Sequence, residues 1–390
     1  VNDTQVTEDS PVSMAGVTVL QILPRMVAGG AERGTVDVAA ALVKAGGKAF
    51  VVSEGGPMVS ELERAGAKHI RMDVATKNPF RIRANARRLA KLIRKHRVDI
   101  IHARSRAPAW SAIRAAALAR IPFMTTFHAP YKFSSDWKKR YNSVMAKGER
   151  VIAISEFIAR HIQDNYGIDQ RRIVTIPRGI DVDKFSRGRV SDERTIKLLR
   201  EWRAPDDLPI VLLPARLSRV KGHETLIEAL ALRGKRDLYC VMIGATDADA
   251  KYRKELEALV SRRGLEGMVR IVGTCRDMPA AYNAAAMVIT PTIYPEGFGR
   301  TAVEAQAMGK PVIASNAGGY TETIEDGRTG LLFPPGDAQA LAQAIDAVMA
   351  LTYEQRRGLA EHAQENARTR YTKDAMCRAT LGVYAELAGR

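Results

Sequence analysis

The sequence predicts an α/β protein built of two doubly wound, parallel-sheet domains. Three observations carry that expectation. Short apolar runs alternate with helix-forming segments along nearly the whole chain. A length of 390 residues exceeds one ordinary core, domains of roughly 100–200 residues being usual. A charged stretch bearing Pro205, residues 186–208, interrupts the alternation near the middle. The expected organisation is a polar, disordered leader over 1–13, a first domain over 14–185, a linker over 186–208, a second domain over 209–370, and a C-terminal helix over 371–390 that packs back on the first domain.

In the first half, VTVLQIL (17–23) is an apolar strand ending at Pro24, and MVAGGAERGTVDVAAALVKAG reads as a glycine turn opening a helix. Gly29 and Gly30 would let the backbone approach a phosphate or an acceptor hydroxyl; they equally suit the tight turn of any doubly wound domain. Strands recur at KAFVVS, HIRMD, VDIIHARS, PFMTTFH and RVIAIS, with helices between them. No GxGxxG follows the first strand, which argues against a dinucleotide-binding half. His128 ends the strand FMTTFH, at the carboxyl edge where open α/β sheets bind ligands, although a hydrogen-bonded turn histidine fits the same place. Ser155 is positioned to cap the next helix.

The second half opens with PIVLLPARLSRVKGHETLIEALAL, a strand, a loop and a helix. Its loop carries Arg216, Arg219 and Lys221, cations that suit a diphosphate over a helix N-terminus, or else a solvated loop. LYCVMIG, MVRIVG, AAMVIT, PVIAS and GLLFP supply further strands, and from Asp337 the chain is helical to its end. The most informative stretch is PTIYPEGFGRTAVEA, Pro291 to Ala305. There a glycine-rich turn joins a buried strand to a helix, leaving the N–H groups of Gly299, Arg300 and Thr301 at a helix N-terminus that favours an anion. Glu296 and Glu304 flank the turn, and carboxylates accept hydrogen bonds from vicinal sugar hydroxyls. Thr301-Ala-Val-Glu304 also reads as a capping box, in which the glutamate closes back on the helix start.

Composition narrows the class. Hydrophobic residues make up 46% and charged residues 26%, as in a globular protein, and no run approaches the roughly 20 apolar residues of a membrane span. The leader lacks the apolar core of a secretory signal, and three scattered cysteines without metal-ligand spacing fit a reducing compartment, so a cytoplasmic protein is expected. The net charge of +17 favours polyanionic partners. Much of it is local. Arg81, Arg83, Arg87, Arg88, Lys91, Arg94, Lys95 and Arg97 surround Ile82, Ala86, Leu89 and Ile93 at helical spacing, a basic amphipathic helix. Tyr131, Phe133, Trp137 and Tyr141 alternate with Lys132, Lys138, Lys139 and Arg140, a mixture suited to a lipid-water interface or to an ordinary amphipathic helix. No helix-turn-helix, zinc spacing or RNA-binding strand motif accompanies the charge, which disfavours nucleic acid.

The segment PEGFGRTAVEAQAMGKPVIASNAGGYTETIEDGRTGLLFPPGD, together with GGAER, His128 and RLSRVKG in that order, resembles the retaining sugar-nucleotide glycosyltransferases of family 4, of GT-B architecture, from about Val17 to the C-terminus. The resemblance implies two Rossmann-like domains facing across a cleft and a nucleoside diphosphate sugar, GDP-mannose or a UDP-hexose, as donor. It implies that Glu296 holds the donor sugar, Glu304 the ribose, and Arg216 and Lys221 the diphosphate in place of a metal ion. The N–H groups of Gly297, Phe298, Gly299, Arg300 and Thr301 would complete the cradle. Arg276, Gly29 and Gly30 would also belong to the donor site, and His128 would touch the transferred sugar. Arg178 stands where relatives often have Asn and, with Trp137, Lys138, Lys139 and Arg140, is assigned to the acceptor or membrane side. No cofactor or metal is implied. The acceptor expected from such relatives is a lipopolysaccharide-core or other cell-surface or lipid-linked glycan, reached at the anionic inner face of the cytoplasmic membrane. A soluble acceptor, or a GT-B epimerase, is the alternative. No nucleophile-base triad and no acid pair for double displacement stand out, which fits departure and attack on one face of the sugar.

Overall fold

The structure, a computed structural model, describes residues 13–27 and 29–390. The leader expected over 1–13 lies, but for Ser13, outside the described residues. Two compact units divide the chain: the first extends to Gly179 and takes in Lys373–Arg390, and the second is Ile180–Thr372.

The first unit's sheet contains β1 (Thr18–Ile22), β2 (Lys48–Ser53), β3 (Lys68–Arg71), β4 (Ile100–Ala103), β5 (Phe123–Phe127), β6 (Arg150–Ala153) and β7 (Ile173–Thr175). They are parallel in the order β3-β2-β1-β4-β5-β6-β7. The second unit's sheet contains β8 (Ile210–Pro214), β9 (Tyr239–Ala245), β10 (Val269–Gly273), β11 (Ala285–Thr290), β12 (Val312–Ser315) and β13 (Leu331–Phe333), parallel in the order β10-β9-β8-β11-β12-β13. These are the doubly wound halves the alternation predicts. Central strands such as β1 and β5 are buried along their whole length, which is why they appear in the sequence as unbroken apolar runs. Strand order reverses between β1 and β4 and again between β8 and β11; the segments leaving β1, β8 and β11 carry Gly29, Arg216, Lys221 and Glu296, whereas His128, Arg178 and Arg276 follow other strands.

Three details depart from or extend the sequence reading. The stretch 186–208, read as a linker, contains the helix Asp192–Glu201 within the second unit. Ser191 caps it by accepting from the Arg194 N–H at 3.4 Å, Asp192 and Glu193 occupy its first turn, and Leu198 is buried, so its few apolar residues suffice once a neighbouring helix covers them. β7 is a three-residue edge strand of half-buried residues, too short to register as an apolar run. The helix Lys373–Leu387 inserts Met376, Leu381 and Tyr384 into the first unit's core and packs on the helix Gly30–Lys44. Two anticipated features are present as read. Ser155 accepts from the Ile158 N–H at 3.2 Å. The helix Pro79–His96, capped by Asn78, buries Ile82, Ala86, Leu89 and Ile93 while its arginines and lysines face outward.

Candidate functional site

In the second unit, β8 and β11 run side by side and deliver two loops to the carboxyl edge of the sheet. The loop after β8 turns at Gly222, whose φ of +72° is left-handed. A side chain there would also collide with the Pro291 carbonyl, so the two loops touch through bare backbone. This contact brings the Lys221 ammonium onto Glu296, an ion pair between side chains about a quarter exposed. The Glu296 backbone is fixed from behind: its carbonyl accepts from the Gly319 N–H at 2.9 Å, and its strand-like bridge is to Gly318. Arg216 is exposed, and its guanidinium has no ion-pair or hydrogen-bond partner among the described residues. Arg219 is turned elsewhere, bound to Glu224 and Glu255 and lying over the Tyr252 ring. Of the three loop cations, Lys221 meets the glutamate, Arg216 stands open and Arg219 is committed to the protein.

The helix Arg300–Ala307 begins at Gly299, with φ +90° and no side-chain cap. The N–H groups of Arg300 and Thr301 have no acceptor among the described residues, as the first turn of a helix requires unless a ligand or water supplies one. Phe298 is buried and packs edge-on against Tyr371, centroids 5.4 Å apart, so its side chain belongs to the core. The capping-box reading of Glu304 fails. Thr301 lies inside the helix, and the Glu304 carboxylate faces sideways: Arg300 Nε donates to Oε1 at 2.8 Å and the Tyr282 hydroxyl donates to Oε2 at 3.0 Å. Tyr282 escaped the sequence reading because a tyrosine 22 residues upstream, in an alanine-rich helix, carries no motif. Arg276 lies on the exposed loop after β10, beside a cavity of about 550 Å³ lined also by Arg194, Trp202 and Cys275.

In the first unit the switch point is differently furnished. Arg178 Nη2 donates to the Gly30 carbonyl, and the guanidinium fills the space over Gly34 that a side chain would take. Gly30 opens the helix Gly30–Lys44, with Gly29 extended before it. Arg104, buried just beyond β4, donates from Nε and Nη2 to Gln21 Oε1 at 2.9 and 2.6 Å. His102 is fully buried between Thr126 Oγ1 (2.8 Å) and the Tyr384 hydroxyl (2.7 Å). His128 follows β5 and keeps part of its surface exposed, yet its Nε2 is enclosed without a partner. Burial, then the charges of Arg178 and Arg104, hold the His128 imidazole well below its ordinary pKa, so it is neutral at pH 7. Trp137 is 70% exposed, stacked on Tyr141, and Lys77 lies over the same Tyr141 ring. Lys138 and Lys139 are half-buried and Arg140 exposed. The aromatic-basic segment therefore adjoins the start of the basic helix, where Phe80 is 79% exposed.

Residues 28–184 match the family description "Glycosyltransferase Family 4" and residues 195–370 match "Glycosyl transferases group 1". A glycosyltransferase from Rickettsia africae of known structure is 38% identical, with a TM-score of 0.88 over 95% of this chain and 98% of that one. The Anabaena protein HepE, solved with UDP and glucose, is 26% identical, with a TM-score of 0.82 over 94% of this chain and 98% of that one. The D-inositol 3-phosphate glycosyltransferase of Geodermatophilus obscurus is 31% identical over 218 residues, 53% of this chain and 47% of that protein. The chain spans about half the length of the curated relatives it matches.

Proposed function

This chain belongs to the family 4 glycosyltransferases, and on that premise we propose that it moves a hexose from a nucleoside diphosphate sugar to a hydroxyl of a cell-surface or lipid-linked glycan, with retention and without a metal ion. The observation that carries the reading is the Lys221–Glu296 contact beside the open N-terminus of the helix Arg300–Ala307. A cation, a run of N–H groups and a carboxylate then face one small region, matching a diphosphate with a sugar attached. Arg216, Lys221 and the Arg300 and Thr301 N–H groups stabilise charge growing on the departing diphosphate. The bond from the anomeric carbon to that diphosphate breaks as the acceptor hydroxyl bonds to the same face, and its proton passes to the departing phosphate oxygen. Stabilising that charge and orienting two substrates are large terms in catalysis. His128, neutral and with Nε2 unpaired, is suited to bond a sugar hydroxyl.

HepE, solved with UDP and glucose, supports a UDP-hexose as the donor; GDP-mannose is the other candidate. For the acceptor, the outward face of the helix Pro79–His96, joined at Lys77 to exposed Trp137 and Phe80, supports an anionic membrane surface. Basic residues contribute about 1 kcal/mol each near such a surface. No helix among the described residues is long and apolar enough to cross a membrane. A second reading, a soluble phosphorylated acceptor, is supported by the relatives named D-inositol 3-phosphate glycosyltransferases. The test is nucleotide release from UDP-glucose and GDP-mannose with a lipid-linked glycan or with an inositol phosphate, in EDTA, beside sedimentation with anionic liposomes. Release dependent on the glycan and surviving EDTA is expected. Loss of activity restored by magnesium, or stimulation by the soluble acceptor alone, overturns the metal or the acceptor assignment. Reversing Lys138, Lys139 and Arg140 to Glu should abolish sedimentation, and unaltered sedimentation would remove the docking face.

A further inference from the structure

Glu304 receives one donor on each carboxylate oxygen. Arg300 is its neighbour one turn back on the same helix. Tyr282 arrives from a separate element, the helix Met278–Ala284. The tyrosine is 1% exposed, and its ring lies edge-on to Phe185, centroids 5.9 Å apart, so the hydroxyl is delivered by a side chain with little freedom. Burial and the adjacent Glu304 charge hold the phenol well above its ordinary pKa, which keeps it a donor at any working pH. An ionised carboxylate has about four acceptor positions, and these two donors leave positions over for a ligand. A carboxylate held only by Arg300 would be free to turn and take the guanidinium in a bidentate manner, its preferred geometry.

We propose that Tyr282 is a positioning residue that fixes the Glu304 carboxylate towards the vicinal hydroxyls of the donor ribose, and that it thereby sets the enzyme's preference for ribonucleotide over 2′-deoxyribonucleotide donors. The inference rests on the reading of Glu304 as the ribose partner. Arg300 alone aligns the carboxylate along its own helix; Tyr282 adds the second, fixed point that defines the plane. A site whose polar group is oriented for a hydroxyl rejects the analogue lacking it, because that group is then left without its partner.

The test is calorimetric titration of wild type, Glu304→Ala, Tyr282→Phe and Tyr282→Met with UDP and GDP, each beside its 2′-deoxy counterpart. Wild type should bind the ribonucleotide at least about tenfold more tightly than the deoxynucleotide, one charge-assisted hydrogen bond's worth. Glu304→Ala should abolish the preference. Both Tyr282 variants should bring it to about twofold or less while deoxynucleotide affinity stays at the wild-type level, which also reports a folded site. Phe185→Leu, which loosens the packing around the ring but keeps the hydroxyl, should lower Tm and cut the preference less than Tyr282→Phe does. If wild type has no preference, or Glu304→Ala keeps it, the ribose reading of Glu304 falls and this inference with it. If Glu304→Ala loses the preference while Tyr282→Phe and Tyr282→Met keep it, the role of Tyr282 alone is overturned. Loss in Phe185→Leu equal to that in Tyr282→Phe would assign the effect to packing instead of the hydroxyl.

Discussion

The two units share one strand order over six strands but furnish the point of reversal in opposite ways. In the second, opposite charges already touch: Lys221 holds Glu296, and Arg300 with Tyr282 holds Glu304. In the first, Arg104 and His102 are buried against the neutral oxygens of Gln21, Thr126 and Tyr384, and the enclosed His128 Nε2 has no partner. A site built from contacting ions is preorganised for a charged ligand, whereas one built from buried neutral imidazoles and a guanidinium on an amide is tuned by desolvation. Under the proposed function, the contacting ions of the second unit would meet the diphosphate and the neutral groups of the first would meet hydroxyls.

The strongest way to break the comparison is Glu296→Ala. Under the proposed function the donor sugar would lose its carboxylate while Lys221 is released to the diphosphate, so turnover should fall about 100-fold or more as UDP or GDP affinity holds or rises, a loss of about 2.7 kcal/mol. Assays of turnover beside calorimetry of the free nucleotide separate the two quantities, and near-normal turnover would remove Glu296 from the site. Next in size are the cations. Arg216→Ala, at an open guanidinium, should weaken nucleoside diphosphate binding by roughly 1.5–3 kcal/mol. Lys221→Ala should cost less, because the lysine must partly leave Glu296 to reach a phosphate. Equal losses by calorimetry would mean that the ion pair persists in the complex.

These contacts explain what could be read before the fold was known. Parallel strands buried on both faces are legible as apolar runs, and a glycine turn with flanking glutamates is legible because its parts are close in sequence. Tyr282, 22 residues from Glu304, and Tyr384, 282 residues from His102, announce nothing, since the chemistry of each lies in a partner brought by the fold. The helix Asp192–Glu201 had a readable start in Ser191 with Asp192 and Glu193; the charge around it made the stretch look like a linker. Thr301–Glu304 shows the converse, a local motif overruled by Gly299 taking the cap position.

Acid sharpens the contrast. His69, His102, His128 and His161 in the first unit, and His223 in the second, all have depressed pKa values, chiefly from burial; that of His223 is brought to about 4. A histidine with a folded pKa below its unfolded value near 6.5 contributes stability that is present above pH 6.5 and lost as pH falls towards the folded pKa, because the unfolded chain then binds the extra proton. Each fully depressed histidine gives up about 1.4 kcal/mol per pH unit in that window. The first unit, with four against one, should therefore open first between pH 6.5 and 4.5, measured by hydrogen exchange in peptides from β4 and β5 against β8 and β11. His128→Asn should flatten the first unit's decline and leave the second's unchanged. Simultaneous opening would mean that the histidines do not distinguish the halves.

The smallest expected effect concerns helix ends. In the first unit Arg97 and Arg120 close the helices Pro79–His96 and Arg106–Ala119 in left-handed conformation, φ +51° and +58°, although Gly167 closes Glu156–Tyr166 there; in the second, Gly234 at +63° closes His223–Arg233 and Arg203 is left-handed beyond Asp192–Glu201. A left-handed arginine costs about 1–2 kcal/mol, and a glycine there recovers that less about 0.5–1 kcal/mol of unfolded-chain entropy. Both arginines are exposed, so little packing is lost on replacement. Arg97→Gly with Arg120→Gly should then raise Tm by a few degrees, at about 2–4 °C per kcal/mol for units of this size. The same double variant should sediment less well with anionic liposomes, since each arginine contributes about 1 kcal/mol near such a surface. Gly234→Arg is the matched control: no atom lies within 4 Å of a Cβ built there, so it should lower Tm through backbone strain alone and add nothing to liposome binding. A double variant that gains stability without losing lipid affinity would leave the first unit's arginine caps without a surface to serve, and the basic face would then be a solvated one.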